Sequence, residues 1–552
     1  MANPSLTRTL VAGLVALLIA LACARGTPPT PTTPTTHTSA PTSTPEPTVT
    51  PLPTPTGRSG LLNLAVPVAA PHWDIHLTPS PILAAWGPGI VYSRLLRFRS
   101  GQQVTTPTMV TECDLCESWR QVDSTTYLFH LRQDVFWQDI PPVSGRALVA
   151  GDIVFSYQRQ MSPGSPNAPL LRSIQSVEAP DEHTVEITLH APDADFLASL
   201  ASGFSKIVAP EAVQLNGNLE EGPVIGTGPW LWEGDRNGLA YFFRANPDYY
   251  EDGLPYLERL VIHFIPDEST RVAAFSVKTL DLVDVPPEEL DGLRQSHSEI
   301  GTLVYREPGT GLEISLNSAM PPLDNPQVRK AFFKALDPWD DIEDIWNGYG
   351  FVSLGMPVER PDWLLPQQEM REYLLDPSGA IELLQLAPGE HPIPLALTVA
   401  YYTDAHMEYG QRIAEELESV GFGVTLEAIS PTRYPQEVWF GGRYQAFVGP
   451  IAPMTTPNMY LLSVLHSQGE LNTHGYRDPG LDSLIEEQSA MMDPVRRRDV
   501  VLDIQRYIMD RAVRFMPVTR VSTWVWWPRV KSFFPNLASS EYFHLARIWV
   551  EP

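Results

Sequence analysis

The sequence predicts an α/β protein of two or three packed units joined at a hinge, and three observations carry that expectation. A chain of 552 residues is longer than one hydrophobic core fills. Residues 261–285 and 395–429 each read strand, helix, strand, the order of an α/β layer. Upstream of both, Gly226-Thr227-Gly228-Pro229 sets two permissive glycines beside a rigid proline, which suits a link between packed bodies. These four residues are the hinge candidate.

Composition bounds the function. Hydrophobic residues make up 43% of the chain and aromatics 10%, a globular composition. The 38 basic and 65 acidic residues leave a net charge of −27, which argues against nucleic acid and against charge-driven docking on anionic lipid.

At the N-terminus, Arg8 precedes an apolar run over residues 10–22, too short for a comfortable membrane span and of the right length for a signal-peptide core. It ends Ala20-Leu21-Ala22-Cys23, which resembles the lipobox of bacterial lipoproteins with the roles of Ala20 and Leu21 reversed. Residues 1–23 are therefore expected to be a lipoprotein signal peptide, with Cys23 lipidated. Residues 24–59 are rich in Pro, Thr and Ser and read as a disordered, extended tether of roughly 100 Å at about 3.1 Å per residue. The remaining cysteines form Cys113-Asp114-Leu115-Cys116, which reads as a local disulfide, with two reduced thiols as the alternative. Neither a redox-enzyme context nor a second cysteine pair for zinc accompanies them.

The elements follow in order. Residues 61–66 read as a first strand and 85–98 as a helix leading into a short edge. His72, Asp74 and His76 read as loop packing and not as metal ligands, because nothing places them on one helical face. Period-two alternation over 126–131 predicts a half-buried strand, a helix starts near residue 149, and 174–179 with 184–189 form a hairpin. A strand at 261–266, a helix at 267–277 and a strand at 281–285 come next, then a strand at 314–317 and a helix at 325–337 with Pro326 in its first turn. After a strand at 395–401, Met407, Gly410, Ile413, Ala414, Leu417 and Val420 recur at helical spacing, and Gly421 sits where a C-terminal cap belongs before a strand at 424–429. Helices at 481–488 and 494–511 close the second unit, with Arg496, Arg497 and Arg498 read as a solvated face, and residues from 518 on return to the first.

The Gly226-Thr227-Gly228-Pro229 turn, Asn246-Pro247-Asp248-Tyr249-Tyr250, Gly253-Leu254-Pro255-Tyr256-Leu257 and the strand at 261–266 occur in a characteristic order. Glu117-Ser118-Trp119 and Val135-Phe136-Trp137 add to it. The pattern resembles bacterial extracellular solute-binding protein family 5, the peptide, dipeptide and nickel-binding components of ABC importers, over roughly residues 60–535. The resemblance implies a two-lobed periplasmic-binding-protein-like fold of the large class, with a hinged cleft and a small extra subdomain. Lobe I would take residues 60–99, 220–305 and 525–552, the subdomain 100–219, and lobe II 306–524. It further implies a monomer on the outer face of the cell membrane that captures a peptide-like solute and delivers it to permease and ATPase subunits.

Relatives have an aspartate four residues after a glycine in the segment matching 448–461, where it pairs with the α-ammonium group of a peptide. Here Gly449 is followed at that place by Pro453, with no acid in the next few residues. A buried ammonium without a counter-charge is costly, so this departure opens an oligosaccharide ligand as an alternative, with a metal chelate or haem also open. Trp86, Trp439, Tyr460, Trp524 and Trp526 fall where relatives border the cleft, and Tyr92, Ser93, Gly449, Met454 and Asn458 complete the candidate ligand-binding set with Pro453. No Gly-x-Ser-x-Gly elbow, phosphate loop or metalloprotease histidine pair is present, so no enzyme, cofactor or metal is expected. A surface carbohydrate-processing protein on the same scaffold is the remaining rival.

Overall fold

The computed structural model describes residues 57–236 and 238–551. The predicted signal peptide, Cys23 and the tether up to residue 56 lie outside the described residues. An eleven-stranded mixed sheet runs through the molecule. Its order is Phe422–Ile429, Ile393–Ala400, Ala446–Pro450, Gly301–Leu316, Arg514–Trp526, Leu282–Val285, Leu61–Val66, Arg259–Phe264, Ala240–Ala245 and Trp230–Asp235. Phe351–Ser353 pairs on Arg514–Trp526 beside this path.

The first half centres on Leu61–Val66, which runs parallel to Arg259–Phe264 on one side and to Leu282–Val285 on the other. The helix Glu268–Ser276, capped where Asp267 accepts the Thr270 N–H, makes the crossover between those two outer strands. In the second half Ile393–Ala400 and Phe422–Ile429 pair in parallel over their full length. The helix Asp404–Val420 joins them and buries Tyr409, Ile413, Leu417 and Val420 on one stripe. A side chain at Gly410 would come within 2.5 Å of the Val399 Cγ2, so glycine lets this helix lie close on the sheet.

Two main cores result. One gathers Leu64, Tyr241 and Ile262 of the large sheet together with Phe129, Val185 and Ile187 of a four-stranded antiparallel sheet, Cys116–Gln121, Thr126–Leu131, Thr184–Leu189 and Ile174–Asp181. The small sheet thus packs into the first half. The other core gathers Ile314, Leu397, Val399, Leu417, Ile504 and Phe515.

One expectation is corrected here. Residues 85–98 are not one helix: Pro81–Ala85 is helical, Pro88–Val91 is a single 3-10 turn, and Leu96–Phe98 is extended. The Gly87-Pro88-Gly89 break explains the difference, since a side chain at Gly89 would meet the Ala84 carbonyl at 2.3 Å. The hinge candidate, residues 226–229, lies inside the first half. Its backbone is buried in the first core, where the Gly228 N–H donates to Val91 O (2.9 Å) and Gln138 N–H donates to Gly226 O (3.1 Å). The segments that pass between halves are the strands Gly301–Leu316 and Arg514–Trp526, whose pairing breaks register between Arg306 and Gly311.

One buried acidic pair makes the second half sensitive to pH. Asp341 on Pro338–Trp346 and Glu416 on Asp404–Val420 each leave a buried carboxylate oxygen without a partner. Burial pushes Asp341 up to about 7 against the opposing pull of Arg412, with Asp337, Asp340 and Asp344 raising it further. Burial and the Asp341 charge push Glu416 up to about 8. A carboxyl raised on folding holds its proton more tightly in the native state, so stability is lost as pH rises from the unfolded value near 4 to the folded one. Asp341→Asn is expected to gain on the order of 2 kcal/mol at pH 8 and nothing near pH 4. Urea unfolding at both pH values checks this, and a pH-independent change would refute the assignment.

Candidate ligand-binding cleft

The three parallel strands of the first half all end toward the crossing. Leu282–Val285 runs antiparallel to Arg514–Trp526, from Leu282 opposite Trp526 to Val285 opposite Thr523, so its carboxyl end points to residues 518–521. The parallel strands of the second half do the same from the other side: Ala446 lies opposite Leu316 and Pro450 opposite Leu312, toward residues 306–311. Carboxyl ends of parallel strands are where open α/β sheets take ligands, and here two such edges converge on a two-strand connection.

At the crossing, Arg520 bonds Asp284 at 2.8 Å and lies 3.7 Å from Glu307. Burial pushes both carboxyls upward while the Arg520 guanidinium draws them back. The second-half edge carries the exposed Tyr401, Tyr402 and Phe440. Trp439 is half-buried there, and its indole N–H and the Tyr434 hydroxyl both donate to Pro450 O, at 2.9 and 3.2 Å. Between Trp439, Ile451, Ala452 and Leu471 lies a hollow of about 280 Å³, counting its open mouth, with Glu313 and Arg514 among its walls.

The structure divides the sequence-predicted contacts. Trp86 stacks on Trp524 with ring centres 5.3 Å apart, and Phe533 bridges Trp524 to Trp526. Trp86, Trp439, Met454 and Trp526 are partly exposed, and Pro453 is exposed. Tyr92, Ser93, Asn458, Tyr460 and Trp524 are buried and serve packing in this structure. The Tyr542 hydroxyl donates to Tyr92 O, and the Tyr460 hydroxyl donates to Leu354 O. Gly449 is also a packing position, because a side chain there would meet the Tyr434 hydroxyl at 2.5 Å. Cys113 and Cys116 are disulfide-bonded, and their loop holds Asp114, which accepts the Arg94 N–H and the Tyr250 hydroxyl. Asp74 takes the Arg159 guanidinium and His76 lies against Lys206 O, so this histidine loop is engaged in packing.

Arg497 is a correction with consequences. It is 3% exposed and pairs with Asp195 of the first half at 2.6 Å, while also donating to Gln488 and Asn458 at 3.1 Å. The Asn458 N–H donates to Asp195 at 2.5 Å, and the Ala194 N–H donates to Ser489 O at 2.8 Å. The two halves are thereby latched together by groups outside the two crossing strands. The signal was present: Arg497 shares a helical face with Val501, Ile504 and Ile508, all buried.

Among the described residues no group of three metal-ligating side chains gathers, and no helix is long and apolar enough to cross a membrane. A family model described as bacterial extracellular solute-binding proteins, family 5 Middle, matches residues 111–472. Heme-binding protein A of Haemophilus influenzae is 31% identical over 317 residues, which cover 53% of this chain and 56%, about half, of that protein. A probable di/tripeptide-binding protein 5 of Pseudomonas aeruginosa is 26% identical over 455 residues, 77% of this chain and 83% of that one. In fold, the chain superposes on the periplasmic binding protein DppA of Helicobacter pylori, solved with the peptide STSA, with a TM-score of 0.72 at 22% identity, covering 90% of this chain and 99% of that one. The fold is that of a two-lobed periplasmic binding protein. The chain belongs to the bacterial extracellular solute-binding proteins of family 5.

Proposed function

We propose that this chain is the extracytoplasmic substrate-binding component of an ABC importer, which captures a peptide between its two halves and presents it to a permease and its ATPase. The observation that carries the reading is the convergence of both sets of strand carboxyl ends on a two-strand connection. Such a connection lets rigid halves rotate about a few backbone positions, and a ligand that touches both favours the closed arrangement by its differential affinity. Relatives whose names include di/tripeptide binding support a peptide as cargo. The partly exposed Trp86, Trp439, Met454 and Trp526 and the exposed Pro453 are the contacts retained for it. Lipidation at Cys23 and the Pro/Thr-rich tether would hold a monomer at the outer face of the cell membrane.

Thermal unfolding of the full chain with pools of di- to nonapeptides, with oligosaccharides and with haem tests the reading. A peptide at about 100 times its dissociation constant is expected to add roughly 2.7 kcal/mol of stability. A shift with haem or oligosaccharides but with no peptide pool would overturn it.

A further inference from the structure

The segment from Pro450 to Asn458 runs from the ligand cleft to the latch between the halves. At its start Pro450 O accepts the Trp439 indole N–H and the Tyr434 hydroxyl. Pro453 is then exposed and Met454 partly exposed, and both are among the contacts retained for a peptide. Thr455, Thr456 and Asn458 are buried again, and the Thr456 hydroxyl caps the short helix Pro457–Tyr460 by accepting the Met459 N–H. Among the described residues no backbone hydrogen bond ties 451–455 to another segment, so the two ends fix its position. Pro450, Pro453 and Pro457 lock φ at three places along it, which makes the segment a stiff strut.

Asn458 is where that strut meets both halves. Its side chain uses its full capacity of donors and acceptors. The amide NH2 donates to Asp193 Oδ1 at 2.7 Å and to Ser489 O at 3.0 Å, and the amide oxygen accepts from Gln488 at 2.7 Å and from Arg497 at 3.1 Å. Its backbone is held from the first half: the N–H donates to Asp195 at 2.5 Å, and the carbonyl accepts from Arg172 at 3.4 Å. Separation of the halves breaks the bonds to Arg172, Asp193 and Asp195 and leaves those to Gln488, Ser489 and Arg497. Opening therefore releases the backbone of Asn458, and the strut with it. A ligand resting on Pro453 and Met454 gains a fixed surface only in the closed arrangement, and by reciprocity it tightens the latch.

We infer that Asn458 is a positioning residue through which peptide contact at Pro453 and Met454 drives closure. This rests on the peptide-binding function proposed above.

Amide exchange of the full chain with and without the pool of di- to nonapeptides tests it, read at the Ala194 N–H, which donates to Ser489 O across the halves. In the wild type the pool is expected to slow this exchange at least about tenfold. Two glycines inserted between Met454 and Thr455 keep the peptide contacts and every latch residue but break the strut. That protein is expected to exchange within about threefold of wild type without peptide, and to slow by less than about threefold with it. Asn458→Ala is expected to exchange faster without peptide and to lose the response as well. A latch that only packs the halves together would leave the insertion protein responding as wild type does. That result, or a wild-type response in Asn458→Ala, overturns the inference. Should the insertion protein not fold, Pro453→Gly/Pro457→Gly softens the same strut, and a full wild-type response there overturns the inference equally. A wild type whose melting temperature rises with peptide while Ala194 exchange does not slow also overturns it and leaves the peptide reading standing. If no peptide raises the melting temperature, the peptide reading fails and the coupling with it.

Discussion

Replacing Arg497 by alanine is expected to open the ligand-free protein. Breaking a buried ion pair by removing one partner costs about 3–5 kcal/mol when the remaining charge stays buried. Here Asp195 has an escape, because its partners Arg497 and Asn458 belong to the opposite half and separation of the halves readmits water to the carboxylate. The cost is therefore expected to fall on closure more than on either core. Two amides report it directly: the Ala194 N–H, which donates to Ser489 O, and the Asn458 N–H, which donates to Asp195. Both should exchange at least tenfold faster in Arg497→Ala, with a larger radius of gyration in solution scattering, since about 1.4 kcal/mol already corresponds to tenfold. An Asp195→Asn/Arg497→Met double variant removes both charges and should exchange more slowly than the single variant. Exchange at these two amides unchanged from wild type would show that the latch does not hold the halves. Ligand affinity should fall with the closed population, because binding then has to supply the closure that the latch supplied.

How much of this was legible in the sequence depended on whether a signal was local. Leu61–Val66, Thr126–Leu131 and Asp404–Val420 carry their own period and caps, and the structure has them where the pattern places them. The helix expected over 85–98 does not form as one piece because Gly87-Pro88-Gly89 interrupts its apolar run. Burial of Tyr92, Tyr460 and Trp524 could not be read from residue type, since an aromatic in a cleft and one in a core have the same composition and differ only in what covers them. Arg497 was the opposite case: its helical register with Val501 and Ile504 was visible, but its partner Asp195 stands 302 residues away in sequence and no local pattern names it. Glu313 and Arg514 likewise meet only because two strands distant in sequence are neighbours in the sheet.

The seam at Gly226 gives the second large effect. A side chain there would place its first carbon 2.0 Å from Val91 O and 2.9 Å from Tyr92 Cα, which are backbone atoms with no rotamer to swing away. Gly226→Ala therefore has to move the buried turn Pro88–Val91 or the chain it carries, and both lie in the first core. Overpacking of this kind costs about 1–3 kcal/mol where side chains can yield, so against fixed backbone at least about 3 kcal/mol is expected. Gly292→Ala is the matched control: it lies within the helix Pro287–Ser296 with nothing inside 4 Å of the added carbon, and should gain up to about 1 kcal/mol from helix propensity. Urea unfolding followed by amide exchange distinguishes a seam from a hinge. A seam loses protection throughout the first core, including Phe129 and Ile187 of the small sheet, while Ile504 and Leu417 of the second core keep theirs. A hinge would instead leave both cores intact and alter only the separation of the halves, and that result for Gly226→Ala would return the pivot to residues 226–229 and remove it from the two long strands.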